Sequence, residues 1–471
     1  MKSFACFFGV LLFPFVFAST AYAEYETLEQ ALGSAYQNNP SLEAERTRLR
    51  ATDEQVSLAL SHWRPSIEAT SSIGKNYQRI PAQQGFDAAH FAGNTTSYGA
   101  QITQPLFRGF RTLTETEAAK KMVLAGRARL QAAEQKLLFE TATAFLDVVR
   151  DELILKADRD NEIVLRKKLD ETSARFNLGD LTKTDVEQAK SRLARSEVAT
   201  LQTRNSLMAD RAAYVRLVGH EPGSLAKPVM TTGGLGKLDD ILRLATTRNP
   251  SVIAARYTLE KSDAEIADNK GTLLPELNLV GSTSRNFGED TTTPGRYASS
   301  QVLLQLRIPL FEAGADHARI RAAQQTGVQY RMELEDVRNR ALETAHNAWQ
   351  ALLMTEASIK ADMREIEAAA SALEGVKIEV RLGSRTTLDE LNAEQELLEA
   401  KTDLAKADHD RILAIMLIKS AIGELTADAL KLPLDPYDPR KHYDDNHARW
   451  VGFGGADDDI YIKSDKTETQ D

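Results

Sequence analysis

Cysteine, basic charge and long apolar runs are all scarce in this sequence. Its 471 residues include one cysteine, Cys6, and 58 basic side chains against 68 acidic ones. The net charge of −10 argues against a nucleic-acid-binding protein, which needs a basic face to displace counterions from phosphate. After residue 23 no stretch approaches 18 consecutive apolar residues. We therefore expect no helix of the mature chain to cross a membrane, and any membrane role would belong to β-strands.

The first 23 residues are typical of a secretory signal peptide. A lysine near the start precedes the apolar run 4–18, and Ala21-Tyr22-Ala23 has the small residues of a cleavage site. An anchor helix is the alternative, but it would need ~20 apolar residues. We therefore expect export of the chain with cleavage after Ala23, which would also remove Cys6 and with it any thiol or disulfide chemistry.

Proline is absent from two long tracts, 106–221 and 310–432. Both tracts are rich in Ala, Leu, Glu, Lys and Arg, and such segments are helical by propensity. A helix of about 67 residues would be ~100 Å long, far more than a globular core needs. In the second tract apolar side chains recur every seven residues, at Leu391, Leu398, Ala405 and Ile412, which favours coiled-coil packing. An ordinary amphipathic helix in a globular bundle would explain this stripe equally well, but not the length. The predicted long and return helices are 112–178, 182–218, 315–382 and 386–423.

The sequence also contains an internal duplication. Asn39-Pro40-Ser41 recurs as Asn249-Pro250-Ser251, and the segment 104–107 recurs as 308–311. The spacing between these two motifs differs by six residues between the halves, which predicts a tolerant surface loop between 77 and 97. An internal repeat of this kind indicates that the chain folds as two copies of one structural unit. The predicted divisions are a signal peptide 1–23, a first repeat 24–236, a second repeat 237–432 and an acidic tail 433–471.

Each repeat contains two candidate strands between its short helix and its long helix. In the second repeat Val302, Leu304 and Leu306 alternate with polar residues, which is the pattern of a strand with one apolar face. Strands of about 10 residues with an apolar face and bordering aromatic residues fit a transmembrane barrel. A soluble antiparallel sheet attached to a helical bundle is the alternative. The predicted hairpins are 66–107 and 276–310.

Four strands per chain are too few to form a closed barrel. In lipid, the N–H and C=O groups of an open sheet edge would stay unpaired, at a cost of several kcal/mol per group. Single-chain barrels begin at about eight strands. We therefore expect two or more copies of the chain to share one barrel with cyclic symmetry, and the strand count alone does not fix the number of copies.

Three further features complete a recognisable pattern: the Pro-Leu-Phe at the end of each hairpin, and the paired helix ends 175–179 and 381–386. With the signal peptide and the twofold repeat, they make the chain resemble the TolC family of outer-membrane factors. The tail from Pro433 is similar to that of alphaproteobacterial members. The resemblance implies a mixed α and β fold, in which a homotrimer with four strands per chain forms one transmembrane β-barrel. A long coiled-coil α-helical barrel would continue it across the periplasm.

The resemblance also implies what the assembly does and what it contacts. It implies a passive exit duct for drugs, toxic hydrophobic compounds or polypeptides, in a tripartite efflux pump or a type I secretion system. The implied partners are a periplasmic adaptor, an inner-membrane transporter and the lipid of the outer membrane, with no nucleic acid.

Site residues follow from the same resemblance. Asp389 would point into the closed periplasmic end as part of a ring that attracts cations. Arg385 would reach Thr184 and Asp185 on a neighbouring coil and latch the entrance. The residues expected to contact the adaptor are Leu178, Gly179, Asp180, Leu181, Leu382, Gly383 and Ser384.

The chain departs from the family pattern at two gate positions. Asn392 stands where a second ring carboxylate is usual, and Val380 stands where an aromatic latch residue is usual. We therefore expect weaker block by divalent cations and one latch hydrogen bond fewer. A local explanation of the two aspartates stays open, because Asp185 and Asp389 each follow a threonine by three residues, as in a capping box.

Catalysis and metal binding have no motif in this sequence. His442 and His447 lack the spacing of a zinc helix, and no phosphate loop or nucleophile elbow is present. The run Asp457-Asp458-Asp459 is more typical of a solvated tail than of a calcium loop. We expect no enzyme activity, cofactor or metal. A periplasmic coiled-coil adaptor or scaffold without a channel is the second hypothesis, and a monomeric porin, which would need more strands, is the third.

Overall fold

The structure is a computed structural model that describes residues 25–82, 89–230, 236–289 and 294–452. The predicted signal peptide and the run Asp457-Asp458-Asp459 lie outside these residues. The helices and strands in chain order are α1 Leu28–Asn38, α2 Pro40–Ser61, β1 Ser66–Ile80, β2 Ala89–Arg108, α3 Arg111–Asn177, α4 Lys183–Val218, α5 Leu238–Arg248, α6 Pro250–Gly271, β3 Glu276–Glu289, β4 Pro294–Arg307, α7 Ala315–Arg381, α8 Thr387–Ala421 and α9 Lys441–Asn446.

The order of two helices, two strands and two helices occurs twice, first as α1 to α4 and then as α5 to α8. The fold is therefore mostly helical with one small antiparallel sheet, which confirms the mixed α and β class and the four strands per chain. Within the described ranges, none of the helices combines the length and the apolar character that crossing a bilayer requires.

The two long helices, α3 and α7, are equal in length at 67 residues each. Each begins directly after a residue with left-handed backbone, Phe110 in the first repeat and Gly314 in the second. No proline interrupts either helix, so an unbroken ladder of backbone hydrogen bonds runs for ~100 Å. Both helices lie within one residue of the ranges that the proline-free tracts predict.

In each repeat the Asn-Pro-Ser motif links the start of a short helix, α2 or α6, to the end of the return helix, α4 or α8. The Asn39 side chain accepts a hydrogen bond from the Ser41 N–H at the start of α2 and donates one to the Leu217 carbonyl near the end of α4. Asn249 makes the equivalent pair of bonds, with Ser251 and with Ala421 at the end of α8. The proline that follows each asparagine is preorganised for the first helical position. Each short helix therefore continues the line of a return helix.

The largest apolar core lies at mid-length of α3. It joins α1, the middle of α3 and the last turns of α4 to the segment 425–432, with Phe145, Tyr214 and Leu425 almost fully buried. A second core joins α5, α7 and α8 around Ile241 and Ile415. Apolar burial is thus concentrated where the short and return helices meet, and the long helices extend from it in both directions.

The four strands form a single antiparallel sheet in the order β1-β2-β3-β4. Pairing runs from Ser66↔Thr103 between β1 and β2, through Ile102↔Gly281, to Leu279↔Leu304 between β3 and β4. Strands β1 and β4 each have a neighbour on one side only within the described chain. The sheet therefore presents two open edges with unpaired backbone groups.

The register divides the sheet into an apolar face and a polar face, because residues that are directly opposite each other point to the same side. The apolar face is continuous across all four strands and its large side chains are exposed, namely Ile67, Ile73, Tyr98, Ile102, Leu279, Val302, Leu304 and Leu306. The opposite face includes Glu68, Ser72, Gln101, Gln301 and Gln305. The alternation predicted from the sequence is thus present in both hairpins.

Two local expectations about the hairpins need correction. Strand β1 continues to Ile80 and β2 begins at Ala89, so most of the stretch 77–97 is strand rather than surface loop, and 83–88 lies outside the described residues. Strand β4 ends at Arg307, short of the predicted 310, because its partner β3 begins at Glu276, which is opposite Arg307, and leaves residues 308–310 without a strand to pair with.

Candidate functional site

The long helices end in two tight turns, here named tip 1 (residues 175–185) and tip 2 (residues 379–389). In tip 1 the Asp180 N–H donates to the Arg175 carbonyl at 3.0 Å, and Gly179 between them has a φ of 88°. In tip 2 the Ser384 N–H donates to the Glu379 carbonyl at 3.0 Å, and Gly383 has a φ of 76°. A left-handed glycine after the last helical turn satisfies carbonyls that the helix leaves free.

Each return helix begins with a capping box that uses aspartate. The Thr182 hydroxyl accepts a hydrogen bond from the Asp185 N–H at 3.4 Å, and the Thr182 N–H donates to Asp185 Oδ2 at 2.9 Å. Thr386 and Asp389 repeat the arrangement at 3.3 and 2.9 Å. The local explanation of the two carboxylates, as helix caps, is therefore confirmed.

The capping box also keeps both carboxylates charged. Hydrogen bonds from the Thr182 hydroxyl and N–H lower the pKa of Asp185, and the charge of Arg175 adds to the effect. The equivalent bonds from Thr386 lower the pKa of Asp389, with a smaller contribution from Arg385. Two half-buried anions therefore lie at the first turns of α4 and α8, where the helix dipole also favours negative charge.

Arg385 is exposed in tip 2 and pairs with a residue of the same tip. Its Nε is 2.7 Å from Glu379 Oε2. Within the described chain it forms no hydrogen bond or ion pair with Thr184 or Asp185. Thr184 is exposed and Val380 is buried. One copy of the chain therefore does not bring the predicted latch residues together.

Asn392, at the position where the family usually has a second carboxylate, joins the two return helices. Its Oδ1 accepts a hydrogen bond from Arg192 at 2.7 Å, which links α8 to α4. An uncharged amide oxygen thus occupies this position and already has a cationic partner. It adds no negative charge beside Asp389.

The tips present apolar side chains to solvent. Leu178 and Leu382 are 79% and 78% exposed at equivalent places in the two turns. Asp180 and Ser384 are exposed beside them, and Leu181 is half-buried. Exposed leucines at the ends of two long helices are unfavourable in water, and such groups mark contact surfaces.

Sequence reasoning missed two ion pairs of buried glutamates just beyond the tips. Lys168 Nζ of α3 is 2.7 Å from Glu390 Oε2 of α8, and Lys377 Nζ of α7 is 3.3 Å from Glu394 Oε1 of α8. Both glutamates are almost fully buried. Their spacing of four residues places them on one face of α8. Charged residues occur on every face of these helices, so this spacing alone could not have distinguished a buried pair.

The two ion pairs hold α8 between the long helices. Burial by itself lowers the pKa of Lys168, but its hydrogen bond to Glu390 and the charge of Glu390 outweigh this effect and raise the pKa. Burial raises the pKa of Glu394, against the opposing charge of Lys377. For Lys168 and Glu390, which are both largely buried, removing one partner leaves an uncompensated charge and costs about 3–5 kcal/mol. Lys377 is 40% exposed, so its pair with Glu394 contributes less. Both pairs are therefore expected to fix how α8 packs near the tips.

Clusters suited to a metal ion do not occur in the part of the chain that the structure describes. His442 contacts Asp53 at 3.3 Å, and His447 stacks on Tyr443, so both histidines have structural partners. The arrangement at the tips can attract cations and contact other helices, which are the properties of a gate or a docking site.

Comparisons with known proteins agree with the fold and its repeat. A profile of the outer membrane efflux protein family matches residues 31–220 and 241–424, one segment in each repeat. The chain is 30% identical over 432 residues to the outer membrane efflux protein BepC of Brucella suis, covering 92% of this chain and 93% of BepC. It is 25% identical over 419 residues to the outer membrane protein TolC of Escherichia coli, covering 86% and 83%.

A solved structure with the same fold is the CmeC outer membrane channel of Campylobacter jejuni. Its TM-score is 0.76 at 15% identity, over 84% of this chain and 85% of that one. The matches span both repeats, and their fold is the one described above. The chain therefore belongs to the outer membrane efflux protein family, as its resemblance to TolC predicts.

Proposed function

We propose that this protein is the outer-membrane channel-tunnel of a tripartite efflux pump or a type I secretion system, acting as a passive exit duct. The observation that carries the proposal is the sheet, which has a continuous exposed apolar face, an opposite polar face and two open edges. A sheet of this kind is stable only where lipid covers the apolar face and other strands complete the edges.

The assembly that meets both requirements is a homotrimer. Strand β4 of one copy would pair with β1 of the next, so that twelve strands close one barrel. The polar face would then line the lumen, with Glu68, Gln101 and Gln305 directed inward. The long helices of the three copies would continue the barrel as a coiled-coil tunnel across the periplasm.

The tips would form the closed end of this tunnel. Three copies of Asp389 would come together as the cation-attracting ring, with the neutral Asn392 leaving the charge lower than in a ring of two carboxylates. Arg385 would exchange its partner Glu379 for Thr184 and Asp185 of an adjacent coil when the trimer forms. This proposal is supported by the exposure of Arg385, whose one described partner, Glu379, lies in the same tip.

The exposed leucines of the tips would contact a periplasmic adaptor, which in turn contacts an inner-membrane transporter that supplies the energy. The proposed contact residues are those predicted from the sequence, Leu178, Gly179, Asp180, Leu181, Leu382, Gly383 and Ser384. Drugs, toxic hydrophobic compounds and polypeptides are the proposed cargo, and no step requires a catalytic residue, cofactor or metal.

We also propose an outer-membrane location reached by export. The signal peptide 1–23 would be cleaved after Ala23, leaving the repeats 24–236 and 237–432 and the tail 433–471 in the mature chain. The alternative, a periplasmic adaptor or scaffold, is disfavoured because such a protein would have no use for an apolar sheet face exposed across four strands.

Engineered cysteines test the proposed closure of the sheet, because the mature chain has none of its own. Glu68→Cys combined with Gln305→Cys places thiols on β1 and β4, at the two open edges. We expect oxidation to give covalent dimers and trimers in outer-membrane fractions. The matched control is Glu68→Cys with Gln101→Cys, which are directly opposite each other within one chain and should give only a monomer. A monomer from both pairs, in a protein that sediments apart from membranes, would refute the duct.

A further inference from the structure

The segment 432–451, which begins at the end of the second repeat, packs along α2 and has no counterpart on α6 in the described chain. We name it the C-terminal strap. It starts in the large core, where Leu432 is buried with Leu28 and Tyr36. It then runs beside α2 towards the sheet and includes the short helix α9. The strap is thus packed against the rest of the folded chain.

Contacts with the strap recur along one side of α2 in the order of both segments. The Arg46 guanidinium lies between the rings of Tyr36 and Tyr437, at 4.7 and 5.0 Å from their centroids. Further along, His442 Nδ1 is 3.3 Å from Asp53 Oδ2, which is buried. These contacts fix the first half of the strap.

The second half is fixed in the same way. The Ser57 hydroxyl lies 3.0 and 3.1 Å from the carbonyls of Asn446 and His447 and donates to them. Arg64, beyond the end of α2, donates to the Arg449 carbonyl at 2.8 Å and lies over the ring of Trp450 at 4.8 Å. The strap therefore delivers Trp450 to the point where the chain leaves α2 for β1.

Two large apolar side chains at the end of the strap are exposed in the part of the chain that the structure describes. Trp450 is 67% exposed and Val451 is 86% exposed, although the preceding contacts hold the backbone in place. Arg64 is only three residues from Ile67, the first side chain of the apolar sheet face. The same end of the sheet carries other exposed apolar residues, namely Trp63, Leu106, Phe110, Leu310 and Phe311.

From this arrangement we infer that the C-terminal strap is a membrane-interface anchor, which places Trp450 and Val451 in the headgroup region of the leaflet nearest the helical part. The inference rests on the proposed function, since the apolar sheet face sets the level of the membrane. Tryptophan beside arginine is the residue pair that favours this region, because the indole is amphipathic and the guanidinium can contact phosphate.

The level of the indole favours lipid over a second copy of the chain as its partner. Trp450 lies against Arg64, three residues before the first residue of the exposed apolar face, at the end of the sheet where both repeats carry exposed apolar side chains. In the second repeat the position equivalent to Trp63 is Leu273, and no strap segment packs there within the described residues. The strap thus adds an aromatic anchor to one repeat only.

Tryptophan fluorescence tests this inference, because the chain has three tryptophans. Trp63→Phe with Trp349→Phe leaves Trp450 as the only indole. The protein is reconstituted as the full trimer into vesicles of phosphatidylcholine brominated near the headgroup end of its acyl chains. We expect Trp450 to lose about half of its emission relative to unbrominated vesicles, because interfacial indoles lie at headgroup level.

Two other single-tryptophan proteins give the reference values. Leu304→Trp, in a chain whose three native tryptophans are changed to phenylalanine, reports insertion of the sheet. Trp349 alone, in α7 far from the sheet, should show no quenching by brominated lipid. Matching far-UV circular dichroism and gel-filtration volumes would show that all three proteins have the same fold and assembly.

Each result has one meaning. Quenching of both Trp450 and the tryptophan at 304 supports the anchor. Quenching at 304 without quenching of Trp450 refutes the anchor and leaves the duct intact, and protection of Trp450 from aqueous iodide as well would assign it to a contact with another copy. Absence of quenching at 304 would refute the membrane position of the sheet, and with it the duct and the anchor together.

Discussion

In the first repeat Pro105-Leu106-Phe107 lies inside β2, whereas its counterpart Pro309-Leu310-Phe311 follows the end of β4. Leu106 is 46% exposed and Leu310 is 91% exposed. Strand β2 lies between β1 and β3 and accommodates the proline with a bulge between 105 and 107, while β4 has one neighbour in the described chain. The same three residues thus adopt different structures because their strands have different numbers of neighbouring strands.

The two repeats differ again around their short helices. Helix α2 has the C-terminal strap along one side, whereas α6 packs against α3 as well as α7. The long helices and the capping boxes are almost the same in the two repeats. The duplication therefore preserves the parts that set length and tip geometry, and it varies the ends of the hairpins and the surroundings of the short helices.

The largest effect is expected from a charge on the apolar sheet face, and it tests whether both hairpins face lipid. Ile73→Lys in β1 and Ala298→Lys in β4 lie on this face further from the helical end. Each should abolish most of the trimer in membranes, because a lysine near the bilayer midplane costs about 2–4 kcal/mol per copy. Ser299→Lys, on the polar face, is the control and should assemble normally. The readout is heat-modifiable migration of the membrane fraction. Equal assembly of Ala298→Lys and Ser299→Lys would contradict the assignment of faces.

A smaller effect is expected at the latch, where the two tips should differ. Arg385→Ser should widen the closed end and raise the single-channel conductance several-fold, because it removes the cation that would bind Thr184 and Asp185. Arg175→Ser in tip 1 is the matched control and should leave the conductance near that of the original chain. Planar-bilayer recording measures both. An unchanged conductance in Arg385→Ser would remove the latch.

Block of the channel by divalent cations should change less than the conductance does in Arg385→Ser. It tests whether the cation-attracting ring is formed by Asp389 rather than Asp185. Asp389→Ala should weaken block by divalent cations, and Asn392→Asp should strengthen it by adding a carboxylate beside Asp389. Because its capping bonds lower the pKa of Asp389 from 3.8, the block should persist when the pH falls from 7 to 5. Block that is the same in Asp389→Ala as in the original chain would show that the ring is elsewhere.

The smallest effect concerns His409, which joins the repeats at the large core. It belongs to α8, yet its Nε2 is 2.9 Å from Asp147 of α3 and its Nδ1 is 2.8 Å from Asp410. Burial and the charge of Arg150 lower its pKa, but the two aspartates outweigh them and raise the pKa above 6.5. Its contribution to stability is therefore complete below pH 6.5 and is lost as the pH rises through the folded-state pKa.

We accordingly expect the thermal midpoint to fall between pH 6 and pH 9, by the equivalent of about 1.4 kcal/mol for each unit of raised pKa. His409→Gln should flatten this dependence, and circular dichroism of the purified trimer measures it. The same slope in the variant would mean that other groups, such as Asp210 with a pKa raised to about 6, dominate.

Much of this structure could be predicted from local sequence signals. The absence of proline predicted the long helices, and the alternation of apolar and polar side chains predicted the strands. A threonine with an aspartate three residues later predicted each capping box. These signals could be recognised because each one acts within a few residues. Three features could not be predicted. The end of β4 at Arg307, the buried pair of Lys168 and Glu390 and the course of the C-terminal strap all depend on contacts between distant segments, which no local pattern encodes.

The equal length of α3 and α7 limits where this chain can tolerate insertions. One extra residue in either helix would advance its tip by about 1.5 Å and rotate it by roughly 100°, so that Leu178 and Leu382 would no longer end at the same height. A hairpin can lengthen without such a penalty, because its last described pair, Ile80↔Ala89, is at the end of the ladder opposite to the one that joins α2 and α3. The six-residue difference between the halves falls in a hairpin for this reason, and engineered tags should be accepted there and rejected along the helices.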